Sequence, residues 1–219
     1  MTVILAIETA TTNCSVSISK NGDVIGLKED FNENYSHSER LHRYIEVVLS
    51  ECNIKLSQLD AIAVSKGPGS YTGLRIGVSA AKGLCMSLEI PLISVNTLES
   101  LAHQIKEDNV KIIPMLDARR MEVYSSVYSQ DKKQIRKTKA EILDERSFSD
   151  YSDSGKICFI GNGAKKYKEI CPYTNTEFLE NNQPSAKEMG PLAYAKFLKN
   201  EFEDVAYFEP YYLKDFILG

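Results

Sequence analysis

The chain has 219 residues, a formal net charge of −4 and a pI near 5.5. Its composition, 43% hydrophobic and 26% charged residues, is typical of a globular protein and excludes a disordered chain. A chain of this length can bury a sizeable core in one or two domains. The acidic balance argues against strong unaided binding to nucleic acid, because attraction to phosphates requires clustered lysine and arginine.

The N-terminus and the cysteines predict a cytoplasmic protein. Residues 1–4 lack the basic region with which a signal peptide begins. No run approaches the roughly 18 apolar residues of a membrane-spanning helix, so we expect no membrane association. The five cysteines contain no C-x-x-C pair, which favours reduced thiols over a disulfide framework or a zinc site.

The first half of the chain predicts three strands followed by alternating helices and strands. Strands are predicted at 3–7, 14–20 and 24–28, and Asn21-Gly22 is the hairpin signal between the last two. Serines alternate with apolar residues in the second strand, which predicts that it is half-buried. A capping box at Ser36 and Glu39 begins an amphipathic helix over 36–52. A strand at 61–64, a long helix over 70–88, a strand at 92–95 and a helix over 97–105 complete this half.

The same order of elements starts again near Asn109. Strands are predicted at 110–116, 121–129, 135–143 and 157–160, and helices at 164–171 and 185–200. Meander strands followed by alternating elements predict an α/β fold with mixed sheets flanked by helices. Two such units predict two lobes, an N-terminal lobe over 1–108 and a smaller C-terminal lobe over 109–219.

The most distinctive segment is the glycine-rich stretch 65–77, which leads from a predicted strand into a helix. Such a turn can bind an anion, because free amides and the helix dipole point at one spot. The segment is neither a P-loop nor G-x-G-x-x-G, since Thr72 stands where the spacing would require glycine. A structural turn is therefore the favoured interpretation, with phosphate binding as the alternative.

Small residues recur every four positions along the same helix, at Gly69, Gly73, Gly77 and Ala81. This spacing leaves one helix face smooth, so that a second backbone can come close. The face could pack against the protein's own sheet or against a partner chain, and the sequence leaves both interpretations open. Apolar stripes accompany it, formed by Tyr71, Leu74, Val78 and Cys85 on this helix and by Leu41, Tyr44, Ile45 and Val48 on helix 36–52.

Candidate chemical groups are few. His37 and His42 are five residues apart and His103 stands alone, so no metal site is predicted. Glu8 and Asp117 each end a predicted strand before a polar turn, which suits magnesium or water positioning, although a turn-capping acid is the favoured interpretation. The basic residues between 132 and 139 indicate a solvated hairpin and edge strand, with an RNA-contacting patch as the secondary interpretation.

Residues 4–11, 37–41, 66–77 and 117–124 together resemble the TsaB (YeaZ) family, and residues 210–213 resemble its usual ending. This family belongs to the bacterial machinery that makes N6-threonylcarbamoyladenosine in tRNA. The resemblance implies an actin-like, Hsp70-like ATPase fold, which is ribonuclease H-like, with two lobes of which the second is reduced.

The resemblance also implies a non-catalytic subunit without catalytic residues of its own. In the family, the paralogue TsaD carries the metal-binding histidines and transfers the threonylcarbamoyl group to tRNA. TsaB pairs with TsaD, and the small ATPase TsaE binds the pair. We therefore expect a heterodimer with a TsaD-like paralogue, contact with tRNA through the complex, and a homodimer when the chain is alone.

Carried onto this sequence, the family's heterodimer implies an interface on helices 36–52 and 70–88. The interface residues expected there are His37, Leu41, Tyr44, Ile45, Val48, Gly69, Tyr71, Gly73, Leu74, Gly77, Val78 and Ala81. Residual nucleotide binding would involve Glu8, Thr9, Thr11, Asp117, Gly161 and Gly163. Because Arg119 and Arg120 stand where this fold needs small residues beside the phosphates, we expect no cofactor in isolation, and ATP or ADP with magnesium only within the complex.

Three rival functions remain at this stage. A kinase-like ATPase on the same fold would need a working nucleotide site. A peptidase-like enzyme would need a metal pair or a nucleophile with a histidine base, and only three histidines are present. A pure interaction module would have no link to tRNA.

Overall fold

The computed structural model describes residues 1–31, 37–152 and 155–213. The chain divides into two compact units. Unit 1 consists of Met1–Ser100 and Pro184–Tyr211, and unit 2 consists of Leu101–Gln183 and the segment that begins at Tyr212.

Unit 1 is built on a mixed five-stranded sheet. Its strands are β1 (Val3–Glu8), β2 (Asn13–Lys20), β3 (Asp23–Phe31), β4 (Ala61–Ser65) and β5 (Leu92–Val95). They lie in the order β3-β2-β1-β4-β5. The central strand β1 pairs antiparallel with β2 and parallel with β4, and every residue of β1 is buried. Such a fully buried strand explains the apolar run at the start of the sequence.

Two long helices cover one face of this sheet. They are α1 (His37–Glu51) and α2 (Tyr71–Leu88), and the short α3 (Thr97–Ala102) follows β5. Leu41 and Val48 of α1 and Val78 of α2 pack in one apolar cluster with the inward side chains of β1 and β2. Each large apolar side chain buried in this way contributes about 1.5–3 kcal/mol. The predicted cap Ser36 lies outside the described residues, and α3 ends three residues before the predicted position.

Unit 2 has a second mixed sheet of five strands. Its elements are β6 (Val110–Asp117), β7 (Glu122–Tyr128), β8 (Gln134–Ile142), β9 (Lys156–Ile160), α4 (Ala164–Lys168) and β10 (Thr176–Leu179). The order β10-β9-β6-β7-β8 repeats that of unit 1. The sequence analysis missed β10, because this four-residue, half-buried strand has only two apolar residues. The core of unit 2 contains Phe148, Phe159 and Tyr167, whose rings meet edge to face.

The last helix, α5 (Ala186–Leu198), returns to unit 1 and packs on the second face of its sheet. The Ala186 N–H donates to the Ser15 hydroxyl at 3.0 Å, and the Ser17 hydroxyl donates to the Ala186 carbonyl at 2.7 Å. Gly190 allows close approach, since a methyl group there would lie 2.8 Å from a Val24 methyl. The serines of β2 are therefore buried instead of facing solvent as predicted. The division also differs from the predicted boundary between residues 108 and 109, because α5 belongs to unit 1.

The two sheets confirm the predicted α/β architecture. In each unit the first strand is central, two antiparallel strands follow on one side, and two parallel strands lie on the other. This repeated order is that of the actin-like, ribonuclease H-like fold. Unit 2 is the reduced one, with a single five-residue α-helix, α4, within its described residues besides the end of α3.

Candidate partner helices and strand-end loops

The turn between β1 and β2 is buried beneath the start of α2. The Ser70 N–H donates to the carbonyl oxygen of Ala10 at 2.7 Å, and the Thr9 hydroxyl donates to the carbonyl of Gly73 at 2.8 Å. A methyl group at Gly69 would lie 2.5 Å from the Ala10 carbonyl oxygen, and one at Gly73 would collide with the Thr9 carbonyl. Only glycine permits so close an approach of helix and turn.

The four-residue spacing of small residues thus serves packing inside this chain. A methyl group at Gly77 would collide with the Thr9 hydroxyl, and Ala81 lies in the apolar core of unit 1. Of the two interpretations that the sequence left open, the geometry carries the intramolecular one.

Glu8 ends β1 with a completely buried carboxyl group. One carboxylate oxygen accepts from the Ala10 N–H at 2.6 Å and from the Ser65 hydroxyl at 2.7 Å. The other oxygen is buried with no hydrogen-bond partner among the described residues. Burial raises the pKa of Glu8 to about 7, and the hydrogen bonds from Ala10 and Ser65 offset only part of this effect.

The polar groups of this turn are engaged within the chain. The Thr11 hydroxyl accepts from the Asn13 N–H at 3.4 Å. The Thr11 carbonyl oxygen lies 2.7 Å from Nε2 of His37, which must therefore carry the proton. Burial lowers the pKa of His37, so this side chain is held neutral as a structural donor. His37 joins α1 to the turn from inside the unit.

Asp117 ends β6 at the equivalent point of unit 2, but its carboxylate is exposed. Its Oδ1 accepts from the Arg119 N–H at 2.6 Å and from Lys166 Nζ at 2.9 Å. Its own N–H donates to Asn162 Oδ1 at 2.9 Å. This arrangement is that of the turn-capping acid, the favoured interpretation of the sequence.

Gly161 and Gly163 pack tightly against β6. A methyl group at Gly161 would collide with the Met115 carbonyl, and one at Gly163 would lie 3.1 Å from the Met115 carbonyl carbon. Gly161 also has a φ of 109°, in the region that favours glycine. These glycines are explained by close packing within unit 2.

Neither strand-end loop fits a nucleotide with magnesium. Magnesium prefers ionised carboxylates, whereas burial raises the pKa of Glu8 to about 7 and so disfavours its ionised form. A phosphate cradle needs free backbone amides, whereas the amides of Ala10 and Arg119 are bonded to acidic side chains of the chain itself. We therefore derive no step of a nucleotide reaction from these residues.

The apolar stripes of α1 and α2 face the core of unit 1 instead of solvent. Of the expected interface residues, Tyr44, Gly69 and Tyr71 are half-buried. The others are buried: His37, Leu41, Ile45, Val48, Gly73, Leu74, Gly77, Val78 and Ala81. The physical reason is that each stripe matches the helix face that covers the sheet. A partner could reach these helices only on their opposite faces.

The exposed face of α2 was not identified from the sequence. It includes the small residues Thr72, Ser79 and Gly83, together with Met86, whose side chain is 70% exposed. A methyl group at Gly83 would meet nothing within 4 Å, so no neighbour in the described chain requires glycine there. Glycine in a helix interior is up to about 1 kcal/mol less favourable than alanine, so a glycine that the fold does not need suggests another use of its face. Gly83 was therefore the signal in the sequence that could have pointed to the exposed face of α2.

On α1 the outward residues are charged or polar. Glu39, His42, Arg43 and Glu46 are exposed. Arg40 forms an ion pair with Asp30, which also accepts from the Tyr44 hydroxyl at 3.1 Å. The outer face of α1 is thus hydrophilic, whereas that of α2 combines small residues and the apolar Met86 with the exposed Arg75.

Among the residues that the structure describes, no three His, Cys, Asp or Glu side chains come together as a metal site would require. No described helix combines the length and hydropathy needed to cross a bilayer.

Comparisons with known proteins agree with one another. A family model described as "TsaD: tRNA N6-adenosine threonylcarbamoyltransferase" matches residues 33–217. The "tRNA threonylcarbamoyladenosine biosynthesis protein TsaB" of Escherichia coli K12 is 31% identical, over 97% of this chain and 94% of that protein. The protein of the same name from Haemophilus influenzae is 27% identical, over 97% and 93%.

A solved structure called "YeaZ from Pseudomonas aeruginosa" superimposes with a TM-score of 0.83 at 27% identity, over 97% of this chain and 100% of that one. The match to E. coli TsaB spans nearly the whole of both chains at more than 30% identity. The chain belongs to the TsaB (YeaZ) family.

Proposed function

We propose that the chain is a non-catalytic subunit of the complex that makes N6-threonylcarbamoyladenosine in tRNA. Its role is to pair with a TsaD-type paralogue, to activate it, and to help bind a TsaE-type ATPase. The names of its relatives give the pathway. Because the pathway acts on tRNA, we infer that the chain works in the cytoplasm.

The observation that carries the pairing is the exposed face of α2. Gly83 and Met86 lie one helical turn apart, with Ser79 one turn before them. Small residues let two helices approach closely, and an exposed methionine adapts its shape to a partner's surface. A TsaD-type paralogue has the same domain type, so it could offer its equivalent helices across a pseudo-twofold axis.

The non-catalytic role has support from the strand-end loops. A kinase-like ATPase would need an ionised acid beside free amides, whereas Glu8 is buried and bonded to Ala10. A peptidase-like enzyme would need a histidine base, whereas His37 is buried and directed at a carbonyl. No observation on the described residues favours a kinase-like ATPase or a peptidase-like enzyme.

The central experiment is reconstitution with and without the chain. The mixture contains the TsaD-type and TsaE-type proteins, the threonylcarbamoyl-adenylate synthase, ATP, threonine, bicarbonate and unmodified tRNA, and the modified nucleoside is measured by mass spectrometry. We expect product only with the chain, and undiminished product with Glu8→Gln. Equal product without the chain would contradict the proposed function.

Pairing is tested with Gly83→Trp. The open space at Gly83 lets the fold accept the indole, which then blocks a close helix contact. We expect affinity for the TsaD-type paralogue to fall at least about thirtyfold, as at a central interface residue, while the melting temperature stays unchanged. The matched control is Lys187→Trp at an exposed position of α5, which should leave pairing intact. Equal affinities of the two variants would rule out this face.

Without a paralogue, we propose that the same face of α2 forms a symmetric homodimer. An uncovered small-residue face with an exposed methionine is suited to self-association. Light scattering at tens of micromolar should detect a dimer for the natural chain and a monomer for Gly83→Trp. A natural chain that stays monomeric over this range would refute the homodimer.

A further inference from the structure

The tip of the β6–β7 hairpin carries two adjacent arginines in an unfavourable backbone conformation. Arg119 has a φ of 72° and Arg120 a φ of 46°, both in the left-handed region. The β2–β3 hairpin also needs two consecutive left-handed residues, and there the chain uses Asn21 and Gly22. Asparagine and glycine adopt this conformation readily, whereas arginine does not. Strain of this kind is commonly retained for function.

Both arginine side chains are exposed at this tip. The nearby acid Asp117 is paired with Lys166 at 2.9 Å, so its charge is already compensated. Lys165, the exposed neighbour of Lys166 in α4, adds a further cation at the same end of unit 2. None of the ion pairs among the described residues includes Arg119, Arg120 or Lys165.

The position of this group is fixed by packing. The Gly163 N–H donates to the Met115 carbonyl at 3.2 Å, which places the start of α4 against the end of β6. Lys166 Nζ also reaches the Glu122 carbonyl on β7 at 3.4 Å. These bonds bring the hairpin tip and α4 to the same end of unit 2, and we refer to the exposed side chains of Arg119, Arg120 and Lys165 there as the cationic surface.

The other basic group of unit 2 is largely engaged in structure. Arg136 pairs with Glu141 and lies over the Phe148 ring, and Lys139 also pairs with Glu141. Lys132 donates to the Ile105 carbonyl. These bonds weaken the interpretation of residues 132–139 as an RNA-contacting patch.

The chain's charge is unevenly distributed between its two units. Residues 101–183 carry 14 Lys and Arg against 13 Asp and Glu, whereas the rest of the chain carries 12 against 17. Residues 101–183 are thus nearly neutral, with a net charge of +1, and oppose the approach of a polyanion less than the rest of the chain, whose net charge is −5.

We propose that Arg119, Arg120 and Lys165 bind the phosphodiester backbone of the tRNA substrate. The inference rests on the proposed function, which supplies the RNA. Guanidinium groups can bind phosphate oxygens in a bidentate manner, and an exposed hairpin tip can enter a groove or follow a bend of the backbone. The cationic surface binds through side chains, because the Arg119 amide is bonded to Asp117.

The test uses the double variant Arg119→Gly with Arg120→Asn in the complex with the TsaD-type paralogue. Both new residues tolerate positive φ, so the melting temperature should stay the same or rise. We expect the KM for tRNA to increase roughly tenfold at physiological salt with kcat unchanged. The slope of log affinity against log salt concentration, measured with labelled tRNA, should decrease in magnitude by about two.

The matched control is Lys133→Gln with Lys137→Gln, which removes the same charge from exposed positions of the β7–β8 hairpin. An equal effect of both double variants on tRNA binding would overturn the proposal, since it would reflect only the total charge. A loss of pairing with the paralogue instead of tRNA affinity would also overturn it and indicate an acidic protein surface as the occupant. If the natural complex makes no modified nucleoside yet binds tRNA through this surface, the proposed function is wrong but the proposed tRNA binding by the cationic surface stands.

Discussion

The first hairpin turns of the two units occupy the same place in the same strand order, yet their environments are opposite. In unit 1 the turn after β1 lies beneath α2, and Gly69 and Gly73 let the helix rest on it. In unit 2 the turn after β6 is exposed and carries Arg119 and Arg120. One position in a repeated fold can thus serve packing in one copy and lie exposed at the surface in the other.

The largest effect should come from a single methyl group on α2. Gly73→Ala places that methyl against the Thr9 carbonyl, so we expect a loss of about 3 kcal/mol in the free energy of unfolding. Gly83→Ala is the matched control, because it lies on the same helix with open space around it. That variant should gain up to about 1 kcal/mol. Urea unfolding measures both, and equal stabilities would refute the close approach of α2 to the turn.

The acids at the ends of β1 and β6 provide the next comparison. Because burial raises the pKa of Glu8 from 4.5 to about 7, the folded state holds its proton more tightly than the unfolded state. Stability is therefore lost as the pH rises through this range. Glu8→Gln removes the titration, and we expect it to stabilise the chain by about 3 kcal/mol at pH 8 but little at pH 4.

Unfolding measured from pH 4 to 9 would check this expectation. The natural chain should lose stability relative to the Glu8→Gln variant between pH 4.5 and 7. Parallel curves would show that Glu8 does not titrate in the folded state over this range.

The smallest effect belongs to Asp117→Asn, the same kind of change at the equivalent strand end of unit 2. The asparagine oxygen can still accept from the Arg119 N–H, and only the partly exposed ion pair with Lys166 is lost. We expect a loss of about 0.5 kcal/mol that disappears at high salt. Thermal unfolding at low and high salt measures it, and a stabilisation like that of Glu8→Gln would remove the distinction between the two turns.

The order of elements was predictable because each strand and helix has its own apolar period. The buried run of β1 and the long helix after Ser70 both appear where the sequence indicates them. The place of α5 was not predictable, since its contacts with β2 join residues about 170 positions apart. The serines of β2 indicated an exposed face only because their partner helix is so distant in sequence.

The face of α2 that we propose for partner binding shows a second limit of the sequence. Apolar spacing on α1 and α2 identifies the helix face that covers the sheet. Leu41 and Val78, which the sequence analysis expected at a partner interface, therefore belong to the core of unit 1. The outward face has no such period. Gly83, a glycine outside the four-residue series, was the signal that the sequence analysis did not use, and its meaning depends on the open space around it.

The late return of α5 also affects how the chain can fold during synthesis. The ribosome completes β1 to β5 before the 83 residues from 101 to 183, and translation of these takes about 4–17 seconds at about 5–20 residues per second. Throughout this interval one face of the first sheet has no helix to cover it. Ser15, Ser17 and Ser19 lie on that face, so we expect their hydroxyl groups to make it less apolar and less prone to aggregate until α5 is synthesised. The same hydroxyls of Ser15 and Ser17 then bond to the first turn of α5 when it arrives.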